Sequence, residues 1–428
     1  MKNKLNKLKE HPKYDTVLNW GKLISITGSA QLIVQVVGFT CGILIVRLLP
    51  VQEYAFYTLA NTMLGTMTVL SDGGISTGVM SQGGKVWQDK DKLGVVLATG
   101  LHLRRKFSVW SLAVAVPILF YLLIHNNASW LTAFLITASL IPAFYAALSD
   151  SLLEIVPKLH QSILPLQKNQ VAVGTGRLLL TSLTMFIFPW AFIAVLAAGL
   201  PRIWGNIQLR KIVYGLADKK LKMDKVVQTE VLSIVKRRMP ESIYYCLSGQ
   251  INIWLISIFG TTAALASLGA LGRFSMITSL FLVMFSTLIV PRFARFANDR
   301  RRLRNKALSV IAVLFVLCFF IISIAFIFSN QFLWILGESY YGLNQEFILI
   351  ISAGCLSMFQ GVFFSINSAK GWIISPILYI LVSISTTVLS LFLVDISTLE
   401  GVIIFKTVIS LIQAIVLISY CFYRISKL

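Results

Sequence analysis

Residues 300–328 read RRRLRNKALSVIAVLFVLCFFIISIAFIF, five basic residues within seven positions followed by an uncharged apolar run. About twenty apolar residues are enough to cross the hydrocarbon of a bilayer as a helix. The run is therefore predicted to span over 308–328. Lys and Arg gather on the cytoplasmic side of such segments, so the cluster marks the inner end of this one. The same reading extends through the chain, with further spans expected at 22–49, 54–80, 107–124, 130–148, 169–189, 190–208, 242–260, 263–290, 346–368, 373–394 and 401–423.

The charges between the spans alternate. Six Lys and Arg fall in 1–22, six in 83–107, nine in 209–240 and seven in 291–307. The intervening gaps hold Glu53, Glu338, Glu346, Asp395 and Glu400 instead. Both termini and the basic gaps are thus expected in the cytoplasm. The formal net charge of +21, in a chain that is 57% hydrophobic, reflects mainly this orientation. The first residues, basic and polar and without an apolar core or a small-residue cleavage site, are expected to remain attached.

The expected fold class is an all-α polytopic membrane protein with about twelve transmembrane helices in two six-helix lobes. The parts are a basic N-terminus (1–21), an N-lobe (22–208), a basic linker (209–241), a C-lobe (242–423) and a short C-terminus (424–428). Because six is even, the halves share one orientation, which implies a pseudo-twofold axis along the membrane normal, the geometry of alternating-access transporters. Leu103-Arg104-Arg105-Lys106 and Leu303-Arg304-Asn305-Lys306 lead into the third and ninth spans and form a weak repeat.

Enzyme chemistry finds no footing. Cys41, Cys246, Cys318, Cys355 and Cys421 are scattered singly, as are His11, His102, His125 and His160, so neither a metal site nor a disulfide is indicated. No HExxH, GxSxG, Walker or dinucleotide fingerprint occurs. No cofactor, metal or nucleic-acid partner is expected.

Five cations lie within or at the ends of spans. Arg47, Arg202 and Lys406 sit near enough to span ends to snorkel to headgroups. Arg177 and Arg273 lie about 12 and 15 Å of helix rise inside theirs. Either a salt bridge or a polar cavity must accommodate them, and no acid is expected at mid-membrane, since Asp72, Asp150 and Glu154 lie towards the cytoplasmic side. Arg suits a phosphate ligand because its planar fork of donors stays charged. The candidate substrate cavity comprises Arg273, Arg177, Gln35, Asn61 and Asn252, with Asp72 as the candidate for coupling protons or sodium. The polar members are equally suited to knitting helices together. Gly38, Gly42, Gly65, Gly269 and Gly272 are expected to permit close packing and bending.

Specific motifs appear at the first two spans: Val46-Arg47-Leu48-Leu49-Pro50-Val51-Gln52-Glu53-Tyr54, then Tyr57-Thr58-Leu59-Ala60, then Asp72-Gly73-Gly74-Ile75. These resemble the R-x-L-G-P-x-x-Y-G, Y-x-L-A and D-x-G pattern of the bacterial polysaccharide flippases, the Wzx-like branch of the multidrug/oligosaccharidyl-lipid/polysaccharide exporter superfamily. Leu268 to Arg273 followed by Pro291-Arg292, and Leu336-Gly337-Glu338-Ser339-Tyr340, are similar to further segments of that family. Leu49 and Ala55 stand where the family usually has Gly.

The resemblance implies a flippase of the bacterial inner membrane. Its implied substrate is a polyprenyl-diphosphate-linked oligosaccharide, moved from the cytoplasmic to the outer leaflet for O-antigen, capsule or another surface polysaccharide. It also implies a cationic cavity with Arg273 facing inward. Membrane lipids, a polysaccharide polymerase and glycosyltransferases are the associated partners. The alternatives are a cation-coupled multidrug exporter of the same superfamily and a nontransporting scaffold for glycan synthesis.

Overall fold

The computed structural model describes residues 32–428 apart from 161, 219–222, 289–292, 294–298, 371, 373 and 375. The basic N-terminus, the start of the first expected span and Pro291-Arg292 lie outside the described residues. Among the described residues the chain is helical almost throughout and contains no strand, as a bilayer demands when every backbone N–H and C=O must be satisfied internally. The helices are α1 (Leu32–Leu48), α2 (Val51–Asp72), α3 (Ile75–Val86), α4 (Lys90–His125), α5 (Trp130–Leu153), α6 (Ile155–Leu159), α7 (Ile163–Ile187), α8 (Ala191–Tyr214) and α9 (Lys225–Phe259). They continue with α10 (Thr262–Leu271), α11 (Ser275–Leu288), α12 (Arg300–Ile327), α13 (Ser329–Leu336), α14 (Asn344–Ala369), α15 (Pro376–Leu393) and α16 (Leu399–Ser426).

Eight of the described segments are long and apolar enough to cross a membrane, and Leu32–Leu48, Ser248–Phe259 and Ile377–Leu393 are shorter apolar helices. With α2, whose Thr58, Asn61, Thr62 and Thr66 lower its hydropathy, they match the twelve expected spans. Helix starts follow ordinary capping chemistry. Asp299 Oδ1 accepts from the N–H groups of Arg301 and Arg302 at α12, and Asp89 does the same from Asp91 and Lys92 at α4. Thr261 and Thr398 cap α10 and α16.

Two helices begin well before their expected spans. The third, expected from 107, starts at Lys90, and the seventh, expected from 242, starts at Lys225. Hydropathy ends where charges begin, but an amphipathic helix continues as long as one face is buried. That face is visible here. Leu93, Val96, Leu97 and Leu103 of α4 form a buried cluster with Ile75 and Val79, Leu209 and Val213, and Val231 and Val235 of α9. Each such side chain contributes about 1.5–3 kcal/mol when fully buried. Much of the expected linker at 209–241 is therefore the tail of α8 and the head of α9. The eighth span is also not one uniform helix: a 3₁₀ turn at Gly272–Phe274 separates α10 from α11.

The chain divides into two compact units. Unit 1 comprises residues 1–44, 63–119 and 131–243, and unit 2 comprises 45–62, 120–130 and 244–428. In unit 1, α7 and α8 approach closely. A Cβ on Gly205 would overlap the Val173 side chain, and Asn169 donates to the Gly205 carbonyl at 3.1 Å. In unit 2, a Cβ on Gly269 would overlap the Thr58 side chain. Gly38 and Gly272 differ from expectation, since a Cβ on either meets no atom within 4 Å among the described residues. Among the described residues, neither serves as a contact point.

Gly205→Leu should therefore lower the melting temperature of the purified protein, since overpacking a tight contact costs about 1–3 kcal/mol. Gly38→Ala should leave it unchanged or raise it slightly. Equal melting of the two variants would show that the α7–α8 approach is not a packing constraint.

Candidate functional site

In unit 2 the family-like motifs converge. Pro50 opens α2, and Tyr54 N–H donates to its carbonyl at 2.8 Å. Tyr54, Tyr57 and Thr58 then occupy i, i+3 and i+4, one face of the helix. Because Gly269 has no side chain, α10 can settle against Thr58, and the 3₁₀ turn four residues on carries Arg273 to the tyrosines. Arg273 Nε donates to the Tyr54 hydroxyl at 3.2 Å, and its guanidinium carbon lies 5.8 Å from the centroid of the Tyr57 ring. Tyr54 and Tyr57 are fully buried. On the other side of the turn, buried Phe274 packs edge-on against Phe332 at 5.5 Å and Phe347 at 5.1 Å, which holds the turn in place.

The segment following α13 joins the same region. Gly337 has φ 113°, a conformation that side-chain-bearing residues rarely adopt, and a Cβ there would sit 3.7 Å from Arg47 Cγ. Arg47, exposed at the end of α1, places its guanidinium 5.1 Å from the ring of Trp334. Tyr340 is buried and near enough to Tyr54 for the two phenols to interact. Burial pushes its phenol up, so it remains protonated.

Two ion pairs of unit 1 join separate helices, beside the local pairs Lys92–Asp89 and Lys158–Glu154. Arg104 is 3% exposed, and its Nη2 donates to Asp72 Oδ1 at 2.7 Å. Its Nη1 donates to the Leu148 carbonyl at 2.6 Å and to the Ser151 hydroxyl. Asp72 Oδ1 also accepts from the N–H and hydroxyl of Ser76, at 3.1 and 2.6 Å, in the first turn of α3. Arg202 Nε donates to Asp150 Oδ2 at 3.0 Å, and Asn206 Nδ2 donates to Asp150 Oδ1 at 2.6 Å. Arg202, expected near enough to a span end to snorkel, is in addition bound to an acid from α5. The partner is reached across helices, 52 residues away in sequence.

Of the candidate cavity residues, Gln35, Arg177 and Asp72 belong to unit 1, and Asn61, Asn252 and Arg273 to unit 2. Gln35 is half-buried on α1, and Arg177 is half-buried on α7. These helices meet where Gly174 faces Val37 and where Cys41 Sγ lies 3.7 Å from the Thr181 hydroxyl. That register sets Gln35 and Arg177 about one helical turn apart in level. Asn61 is exposed on α2. Asn252 is half-buried on α9, and its side-chain oxygen is buried without a hydrogen-bond partner among the described residues. Among the described residues, Arg273 bonds to Tyr54, and no hydrogen bond joins it to Asn61 or Asn252.

A second polar group in unit 2 escaped sequence reading. Gln360 Nε2 of α14 donates to Gln413 Oε1 of α16 at 2.5 Å and to the Tyr379 hydroxyl at 3.3 Å. Gln413 Nε2 donates to the Ser383 hydroxyl at 2.6 Å, which also receives the Tyr244 hydroxyl. Ser357 and Ser410 pair at 3.1 Å nearby. The available signal was a glutamine at the centre of each of two apolar spans.

No family model and no curated protein matches the chain. Solved structures do. One is an inward-facing multidrug resistance transporter of the MATE family of the MOP superfamily, with TM-score 0.73 and 14% identity over 92% of this chain and 95% of that one. Another is the lipid II flippase MurJ, with TM-score 0.70 and 13% identity over 93% and 87%. A third is a MOP superfamily transporter from Pyrococcus furiosus, with TM-score 0.61 and 14% identity over 98% and 97%. The likeness at these identities is one of fold: the chain has the all-α polytopic membrane fold of MOP superfamily transporters.

The Asp72–Arg104 geometry is that of a structural pair. Asp72→Asn should cost about 3–5 kcal/mol by stranding a buried cation, and adding Arg104→Gln should recover part of that loss in thermal melts. Tyr54→Phe, which removes one hydrogen bond to Arg273, should cost only about 1 kcal/mol. Additive losses in the double variant would remove the case for coupling between Asp72 and Arg104.

Proposed function

We propose that the chain is a flippase that carries a polyprenyl-diphosphate-linked oligosaccharide from the cytoplasmic to the outer leaflet of a bacterial inner membrane. In this reading the two expected lobes, 22–208 and 242–423, alternate around the substrate with both termini cytoplasmic. No bond is made or broken, so the chain acts as a transporter rather than an enzyme. The observation that carries it is the setting of Arg273. Its guanidinium meets phenol hydroxyls and ring faces, and among the described residues it makes no ion pair. Its charge is oriented but not neutralised, which suits transient capture of a diphosphate. The fold likeness to a lipid II flippase is consistent with a lipid-linked cargo.

A cation-coupled drug exporter is the competing reading, since the fold is equally that of MATE transporters. That activity calls for an acid free to exchange ions or protons. Here Asp72 and Asp150 are engaged by Arg104 and Arg202, which favours the flippase. Arg177, Gln35, Asn61 and Asn252 complete the proposed substrate path, and Asp72 is assigned to structure rather than coupling. A glycan polymerase and glycosyltransferases are the partners such a substrate would require.

An inside-negative potential favours outward movement of an anionic headgroup by about 2.3 kcal/mol per charge per 100 mV. Proteoliposomes containing a fluorescent polyprenyl-diphosphate glycan should show flipping that accelerates when this potential is imposed. Arg273→Glu should abolish it, and Arg273→Lys should retain a fraction. Flipping by the Arg273→Glu protein at the parent rate would sink the assignment, and export of organic cations in its place would establish the competing one.

A further inference from the structure

The 28 residues of α12 rise about 42 Å at 1.5 Å each, more than the roughly 30 Å of hydrocarbon in a bilayer. With its basic start on the cytoplasmic side, as expected from sequence, its other end emerges at the outer face. A cleft of about 470 Å³ opens there in unit 2, within the span of roughly 300–1,000 Å³ usual for small-ligand sites. Asn330, Gln331, Leu333 and Trp334 of α13 line it together with Tyr341 and Gly342 of the segment that follows.

The shape of the cleft is built by the backbone. The short helix α13 buries Ser329, Leu333 and Leu336 and leaves Asn330, Gln331 and Trp334 exposed. Gly337 at φ 113° and Gly342 at φ 88° then take conformations that a side chain opposes. Between these two glycines the chain divides its tyrosines: Tyr340 is buried, and Tyr341 is 51% exposed. Trp334 is 55% exposed, and Arg47, which does not line the cleft, lies over its ring at 5.1 Å and steadies it.

The enrichment of Trp and Tyr at membrane interfaces would by itself account for one exposed ring of each kind. It does not account for two rings sharing one cleft with two amides. The side chains of Asn330 and Gln331 bond to no other group among the described residues, so their donors and acceptors are open to a ligand.

The lining also selects a ligand class. None of its six residues is charged, which suits a neutral molecule. An organic cation would favour the ring faces but would meet the charge of Arg47 beside Trp334. A sugar fits both parts of the lining. Its C–H face, slightly positive, packs on the negative face of an aromatic ring, and its hydroxyls donate to and accept from amides.

We propose that this cleft binds a neutral sugar unit of the glycan at the outer face, with Trp334 and Tyr341 as stacking platforms and Asn330 and Gln331 as hydroxyl partners. The choice of a glycan as ligand rests on the proposed cargo. Capture of the sugars there would disfavour their return through the transport path, a role separate from that of Arg273.

The test is saturation-transfer NMR on the full-length protein in phosphatidylethanolamine/phosphatidylglycerol nanodiscs, which hold no sugar-headed detergent. Maltotriose, triacetylchitotriose and choline are the probes. The parent should transfer saturation to at least one trisaccharide and more weakly to choline. Trp334→Leu and the exposed pair Asn330→Ala/Gln331→Ala should each bind that trisaccharide about tenfold more weakly. Tyr341→Phe should bind near the parent level, and the Asn330→Ala/Gln331→Ala protein should melt with the parent. Arg273→Glu should abolish flipping yet leave trisaccharide binding unchanged, so the cleft and the transport reading can fail separately. Absence of transfer to both trisaccharides would overturn the site, as would a preference for choline. Parent-level sugar binding by both Trp334→Leu and Asn330→Ala/Gln331→Ala would do the same, leaving Trp334 as an interfacial anchor.

Discussion

A charge in or beside hydrocarbon must be answered by a partner, by water or by a ligand, and much of this structure depends on how the chain answers its own cations. For Arg104 and Arg202 of unit 1 the answers are carboxylates. Asp72, at the end of α2, takes Arg104 from α4, and Asp150 of α5 takes Arg202 from α8. Each pair ties together helices distant in sequence, so the same bonds that make the cations tolerable also set which helix ends meet. In unit 2 the answer to Arg273 is different: phenols orient it without cancelling it.

That difference separates cations that are neutralised from one that is only oriented. A buried ion pair contributes little net stability because desolvation offsets the attraction, yet losing one partner is costly. Asp72 and Asp150 are therefore poor candidates for groups that must exchange protons or ions in every cycle. Arg273 is held more weakly. A phenol hydrogen bond of about 1 kcal/mol and a cation–π contact of similar size keep the guanidinium aimed without neutralising it. The Gln360–Gln413–Ser383 group is of a third kind, neutral and mutually satisfied, and suited to fastening α14, α15 and α16 within a low-dielectric interior.

The spans were legible because hydropathy reports directly on the solvent a segment can tolerate. The helix starts at Lys90 and Lys225 were less so, since an amphipathic extension buries its apolar face against partners that only folding supplies. The motif residues Arg47, Tyr54, Gly337 and Tyr340 were visible in sequence, but not that all of them lie around one part of unit 2 with Arg273. Gly269 and Gly38 look alike in sequence; one lies against Thr58, and a Cβ on the other meets nothing within 4 Å among the described residues. Arg202 and Asp150 were both noted, and their pairing was not anticipated, because 52 intervening residues conceal it.

The sequence by itself determined that the chain crosses a membrane about twelve times as helices, and it predicted an orientation from its basic gaps. Both follow from local composition: the free energy of placing each segment in water or hydrocarbon is nearly independent of the rest. Tertiary structure decided which charges are spent on architecture and which remain available. That outcome depends on distances between side chains far apart in sequence, which leave Arg104 neutralised by Asp72 and Arg273 steered by Tyr54 and Tyr57 but still charged.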